Sequence, residues 1–553
     1  MAKIVKIVKL VKIIKVQTAM AVYRNPVLSG FYPDPSCIRV GDTFYLINSS
    51  FQFFPGLPIH ASTNLVDWAL VGHAICRPSQ LDLSLATTRV NNAARREYFT
   101  AGLYAPTIRY HAGTFYIVCT NMVGVAEDPS AALTPHNFLI TCKDLHDAAS
   151  YSDPVYFDFH GIDPSLLFDD DGRVYLQGSY IIDYRKHPAT VIRQAEFDPQ
   201  TGRLLSEFVD IWTGTGGKVP EGPHLYKTNG MYWLLIAEGG THAGHCVTMA
   251  RSASPWGPYE PCKDNPLVAG RAGHTVQCVG HAELVEDGAG HWWALLLARR
   301  EHGDAFSLGR ETYLVPATWT AGEFPALDSV ELLQQVATAT GTGRGRIGGQ
   351  PNSADARAAA HVVTLSSPHT VFLRTPALDR YVQRDADTMV LHFTAAALGC
   401  GEGSPVFLGE RQTALNSTAQ VTLDLTGLPD GSHSGLSLYK DTYRHVSLDV
   451  DGRHKRLSLA SQHPGQPFAY LHPVSLSRAT SVRLTVSSTA LCYTFAYSTH
   501  DGDRWAEDVV LGSVPSSAVS GDDFTGPVYG IYAAEATSGA ATFTAFSVTG
   551  SDG

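Results

Sequence analysis

The sequence predicts an all-β chain of two unlike parts: a five-bladed β-propeller followed by an antiparallel β-sandwich of jelly-roll or concanavalin-like form. Three observations predict it. A motif of turn, aromatic and aliphatic run occurs five times: "GDTFYLINSS" from 41, "AGTFYIVCTN" from 112, "DGRVYLQGSY" from 171, "NGMYWLLIAEGG" from 229 and "AGHWWALLLARR" from 289. Its marked aromatics, Tyr45, Tyr116, Tyr175, Trp233 and Trp292, stand 58–71 residues apart. A recurrence of that length signals a repeat architecture. After about residue 335 the recurrence is lost, yet short alternating runs continue to the end, as in a sandwich.

The elements follow in order. Residues 1–21 read as an extension expected to be disordered. Its "MAKIVKIVKLVKIIKV" carries Lys3, Lys6, Lys9, Lys12 and Lys15 at a strict spacing. Those lysines interrupt what would be a secretory apolar stretch, and the segment is too charged and too short to span a bilayer. The propeller is expected over residues 22–330. Each copy of the motif has a strand ahead of its turn, "PSCIRV", "PTIRYH", "PSLLFD", "PHLYKT" and "AELVED", so each is a hairpin. Further runs such as "LPIHASTNLVDWALVG" and "PATVIRQAEFD" bring the total to four strands per blade. Residues 331–361, with "QQVATATGTGRGRIGGQPNSADARAAAH", read as a linker. Residues 362–553 hold the sandwich, with runs such as "TVFLRTP", "AQVTLDLTGL", "SVRLTVSS" and "GAATFTAFSVTG".

Composition bounds the function. With 553 residues, 44% hydrophobic and 17% charged, the chain is a folded protein of more than one domain. A net charge of -11 provides no basic footprint for nucleic acid. No run is long enough to be an integral membrane span. The nine cysteines are scattered, odd in number and without a CxxC pair, which argues against a disulfide framework or a zinc site. A reducing, cytoplasmic setting is expected, since no signal peptide is recognisable, with an extracellular one left open.

Eleven or twelve residues ahead of the marked aromatics stand Asp34, Ala105, Asp163, Glu221 and the pair Gly280-His281. In a propeller the first strand of each blade lines the axis, so these positions converge on one funnel. A strand cap would account for one such acid. Three at one repeat position repel one another and raise one another's pKa, which points to a shared active site. Turn residues such as Asp169, Asp170 and Asp171 need no function. Carboxylates held apart suit glycoside hydrolysis: one gives a proton to the leaving oxygen and another activates water on the opposite face. A third tunes the acid. Calcium held by carboxylates and His281 is the alternative chemistry, although no cofactor is expected to be required.

The segments "NPVLSGFYPDPSCIRVGDTFYLINSSFQFFPGLPIHASTNLVDW", "GLYAPTIRYHAGTFY", "GIDPSLLFDDDGRVYL", "KVPEGPHLYKTNGMYWLLIAEGGT" and "SLGRETYL" resemble glycoside hydrolase family 43. They are most similar to its two-domain β-xylosidase and α-L-arabinofuranosidase branch. The resemblance implies an inverting exo-glycosidase that releases β-D-xylose or α-L-arabinofuranose from xylo-oligosaccharides or arabinoxylan fragments. It implies that Asp34 is the general base, Glu221 the general acid, and Asp163 the residue that positions the acid and modulates its pKa. It further implies that Arg310 in "LGRET" grips sugar hydroxyls, that Phe51 and Tyr104 wall the pocket, and that Phe524 in "DDFTGPVYG" reaches its rim from the sandwich. His281 faces the axis by the repeat argument and is expected to bind substrate or water. Glu238 in "AEGGT" is expected to orient the acid's surroundings. The expected partner is a small oligosaccharide, with a second copy of the chain also allowed. The alternatives are an endo-acting arabinanase and a non-catalytic sugar-binding propeller.

Overall fold

In the computed structural model the described residues are 19–92, 97–125, 132–184, 186–338, 361–462, 469–521 and 523–551. Among them the only helical structure is a few short 3-10 turns, and no helix is long and apolar enough to cross a membrane. The rest is strand and loop.

Five antiparallel sheets form the blades, each with four strands in sequential order, and blades 2, 3 and 4 carry a fifth short strand off that path. Blade 1 comprises Ser36–Val40, Thr43–Ile47, Gly56–Ser62 and Ala69–Ile75. Blade 2 comprises Thr107–His111, Thr114–Val123, Thr134–Cys142 and Val155–Phe157. Blade 3 is built from Gly161–Phe168, Val174–Ile181, Thr190–Asp198 and Arg203–Leu204. Blade 4 is built from Glu221–Thr228, Met231–Glu238, Cys246–Ser252 and Glu260–Pro261. Blade 5 is built from Val276–Glu286, Trp292–Arg300, Arg310–Thr318 and Ala326–Leu327. The first strands contact one another in cyclic order, and the fifth returns to the first. The expected hairpins are all present, for example Ile38 opposite Tyr45 and Tyr226 opposite Trp233.

The ring is sealed by the N-terminal segment. Ala19–Arg24 pairs with Leu333–Thr338, and Leu28 bridges Thr312 in blade 5. The Asn48 amide of blade 1 donates to the carbonyls of Tyr32 and Pro33. The strand at Leu333–Thr338 lies inside the stretch expected to be a linker, because its alternating polar residues still find a partner in the first strand of the chain. Residues 19–21, placed by the sequence in a disordered extension, belong to the strand Ala19–Arg24, while the rest of that extension, 1–18, and residues 339–360 of the expected linker lie outside the described residues.

The second domain is a sandwich of two eight-stranded sheets. Leu436, Leu438, Leu448 and Val450 of one sheet face Val421, Leu423, Leu484 and Phe543 of the other within one core. That core is continuous with buried residues of blades 1 and 2. The domains are also joined through the backbone, since Phe53–Phe54 of the propeller adds as an edge strand to the sandwich, pairing with Phe372 and Leu373. All nine cysteines are free.

Candidate active site

The axis is closed on one side by a buried polar plug to which every blade contributes. Glu283 of blade 5 accepts from Arg109 of blade 2 at 2.9 Å, from Ser36 of blade 1 at 2.9 Å and from the Tyr226 hydroxyl of blade 4 at 2.5 Å. Arg109 also donates to the Leu166 carbonyl of blade 3 at 3.0 Å. Buried charges persist only when paired and hydrogen-bonded, and here both conditions hold. Burial, the largest influence, drives the neighbouring His224 down to about 3, so it is a neutral member of the plug.

Above the plug lie the three acids, at the starts of the first strands of blades 1, 3 and 4. Asp34 and Asp163 are buried, and Glu221 is nearly so. The backbone is bent to aim them. Asp34, Asp163 and His281 adopt φ of 51°, 55° and 45°, a left-handed conformation rare outside glycine. Register shifts in the ladder fall between Ile162 and Ser165, between Glu221 and His224, and on both sides of Gly280. Such bulges re-aim side chains beside sites, and strain of this kind persists where the surrounding structure enforces it.

Each acid has its own surroundings. Asp34 accepts a hydrogen bond from the Ser49 hydroxyl. Its other oxygen lies 3.9 Å from His281 Nδ1 and 4.0 Å from an Arg310 guanidinium nitrogen. Asp163 accepts the Gly222 N–H at 3.0 Å. Glu221 has no hydrogen-bond donor among the described residues, and His245 Nε2 stands 3.7 Å from it. The carbonyl ahead of Glu221 is held by the hydroxyls of Ser179 and Thr190, each at 2.8 Å.

Electrostatics separates the acids. Burial, opposed by Arg310 and aided by the charge of Asp34, pushes Glu221 up to about 7. Burial also raises Asp163, against His281 and with the charges of Glu221 and Asp34. Two interacting carboxyls of this kind titrate as a pair that holds one proton near neutrality. The Gly222 N–H favours an ionised Asp163, and the Arg310 charge favours an ionised Glu221, which accepts no hydrogen bond among the described residues. Burial, with the charge of Arg310, takes His245 down to about 3, leaving a neutral ring beside Glu221.

Aromatic walls complete the pocket. Phe51 and Phe524 stack with ring centres 5.3 Å apart and planes 5° apart. Tyr104 lies 5.0 Å from Phe51 and 5.7 Å from Phe524. The Arg310 guanidinium sits 5.1 Å from the Phe524 ring centre, and Arg310 donates to the Thr241 carbonyl at 2.8 Å. Its Nε is buried without an acceptor among the described residues. Phe51 and Leu103 exchange backbone hydrogen bonds, which requires Gly102 at φ 103°, since a Cβ there would sit 2.2 Å from the Phe51 carbonyl oxygen.

Asp34, Asp163, Glu221, His281, Arg310, Phe51, Tyr104 and Phe524 therefore gather at one end of the axis. Glu238 does not join them. It is buried behind the site, and its carboxyl takes the Thr215 N–H and hydroxyl at 2.5 and 2.7 Å. It thereby pins the loop that runs into Glu221. Sequence reasoning missed Ser49, His245 and Thr241, which come from loops of unequal length between second and third strands.

Comparison with known proteins gives a consistent picture. Residues 23–325 match the family model "Glycosyl hydrolases family 43", and residues 366–549 match "Beta xylosidase C-terminal Concanavalin A-like domain". The non-reducing end alpha-L-arabinofuranosidase BoGH43B of Bacteroides ovatus is 33% identical over 531 residues, covering 94% of this chain and 92% of its own. A xylosidase/arabinosidase of Butyrivibrio fibrisolvens is 34% identical over 457 residues, covering 78% and 80%. The solved xylan beta-1,4-xylosidase of Bacillus halodurans superposes with a TM-score of 0.82 at 29% identity, covering 95% of this chain and 100% of that one.

Proposed function

From the premise that this chain belongs to glycosyl hydrolase family 43, we propose that it is an inverting exo-glycosidase that removes single β-D-xylose or α-L-arabinofuranose units from xylo-oligosaccharides or arabinoxylan fragments. The observation that carries exo action is the blind axis. The plug around Glu283 closes one end, and Phe51, Tyr104 and Phe524 narrow the other, so a terminal sugar fits where a continuous chain does not.

The chemistry is a single displacement. Glu221 gives its proton to the glycosidic oxygen as the bond from that oxygen to the anomeric carbon breaks. Water forms its bond to that carbon from the opposite face and loses a proton to Asp34, so the configuration inverts. The Ser49 hydroxyl orients Asp34. Asp163, fixed by the Gly222 N–H, holds a negative charge beside Glu221 and keeps the proton there. Arg310, with an unused buried Nε donor, grips sugar hydroxyls, for which its rigid fork is suited. An aryl β-D-xyloside and an aryl α-L-arabinofuranoside test the assignment: turnover of at least one is expected, and turnover of neither by folded protein contradicts it.

The working form of Glu221 is the protonated one, so activity is present below its pKa and is lost as pH rises through about 7. A profile of kcat/KM against pH is expected to fall on its alkaline side near that value. Asp163→Asn removes a negative neighbour, which lowers the pKa of Glu221. The alkaline limb is then expected to move to lower pH by about one unit or more. An unmoved limb contradicts the role assigned to Asp163.

A further inference from the structure

The sandwich carries a four-charge cluster, fully buried where the two domains meet. Lys440, Asp441, Arg444 and Asp523 are 1%, 0%, 5% and 4% exposed. Arg444 donates from Nε to Asp441 at 2.8 Å and forks onto Asp523 at 3.0 and 2.5 Å. Lys440 lies 3.2 Å from Asp523 and donates to the Thr525 carbonyl. The cluster is neutral overall, so its charges satisfy one another without solvent.

Its neighbours along the chain are the walls of the pocket. Asp523 and Thr525 flank Phe524. The Lys440 carbonyl accepts from the Gln52 side chain at 3.2 Å, and Gln52 follows Phe51. The Arg444 guanidinium sits 4.8 Å from the ring centre of Tyr98, which precedes Phe99, and the Phe99 ring lies 5.9 Å from Phe524. The fit is close. A Cβ on Gly521 would meet Arg444 at 2.2 Å, and a Cβ on Gly526 would meet the Leu308 carbonyl oxygen, two residues before Arg310, at 2.4 Å. One ion cluster thus touches residues beside two of the aromatic walls, Phe51 and Phe524, and beside Phe99, whose ring lies next to Phe524.

We propose that Lys440, Asp441, Arg444 and Asp523 are positioning residues that lock Phe524 and Phe51 against the sugar, so that substrate binding in the propeller depends on a salt-bridge network in the sandwich. A buried ion cluster is weak evidence of stability, because apolar residues of the same volume serve as well. Its value is directional: forked charges hold a loop in one geometry. The inference rests on the sugar pocket proposed above.

The test is a double-mutant cycle between Asp523→Asn and Phe524→Ala. Asp523→Asn is expected to raise KM about tenfold with kcat within about twofold, and to add less than about twofold to KM once Phe524 is alanine. Arg444→Lys keeps the charge but loses the fork, and it carries the same test if Asp523→Asn does not fold. Dissociation constants of D-xylose and L-arabinose, measured by calorimetry on the same variants, follow the same pattern and do not require turnover. Equal fold-changes in both backgrounds, or unchanged KM and sugar affinity in a folded variant, overturn the proposal. Turnover of neither aryl glycoside by the unmodified chain would instead overturn the enzymatic reading and leave the calorimetric test in force.

Discussion

Glu221→Gln is expected to lower turnover of unactivated xylosides and arabinofuranosides by about 10³-fold, within the range that positioned proton transfer contributes. Glutamine preserves the shape of the side chain and cannot give up a proton. The loss should depend on the leaving group. An aryl glycoside whose phenol is strongly acidic departs without protonation, so its turnover should fall far less. Binding should survive, because Glu221 contributes no hydrogen bond to the aromatic walls or to Arg310. A uniform loss across all leaving groups would mean that Glu221 is not the proton donor. Unchanged turnover would mean that Glu221 takes no part in the reaction.

Asp34→Asn is expected to cost about the same factor, about 10³-fold, on every leaving group alike. Water activation is needed whichever bond breaks, and the amide cannot take the proton. Ser49 still has an oxygen to donate to, so the local fold should persist. Azide, which has no proton to lose, should restore part of the activity and give a glycosyl azide of inverted configuration. Loss confined to poor leaving groups would exchange the roles of Asp34 and Glu221. The two variants together separate acid from base, which no single variant does.

Much of this was legible in the sequence because a propeller repeats. Equivalent positions of successive blades converge, so Asp34, Asp163, Glu221 and His281 could be aligned by counting back from Tyr45, Tyr175, Trp233 and Trp292. The sandwich was legible from period-two runs such as "SVRLTVSS", whose valines and leucine are buried in alternation. What resisted reading came from parts that do not repeat. His245 and Thr241 lie on a loop whose length matches no other blade. Phe53–Phe54 reads as a hydrophobic patch near a turn, and nothing local says that it extends a sheet more than three hundred residues away in sequence. The Leu333–Thr338 strand was hidden in a polar, Thr- and Gln-rich stretch whose partner lies at the other end of the propeller. "LYKDTYRH" reads as an ordinary charged hairpin, since Asp523, which makes its charges a cluster, is 79 residues beyond Arg444. Phe51, Tyr104, Arg310 and Phe524 were reached by resemblance to a family, because an aromatic wall has no pattern of its own in sequence.

The measurement that bears most directly on the central claim is the anomeric configuration of the first sugar released, followed by proton NMR before mutarotation. With an aryl β-D-xyloside the account predicts α-D-xylose first, and with an aryl α-L-arabinofuranoside β-L-arabinofuranose first, because water attacks opposite the leaving oxygen under Asp34. First release of β-D-xylose, or of α-L-arabinofuranose, would make one carboxylate a nucleophile and contradict the assignment of Asp34 as base and Glu221 as acid.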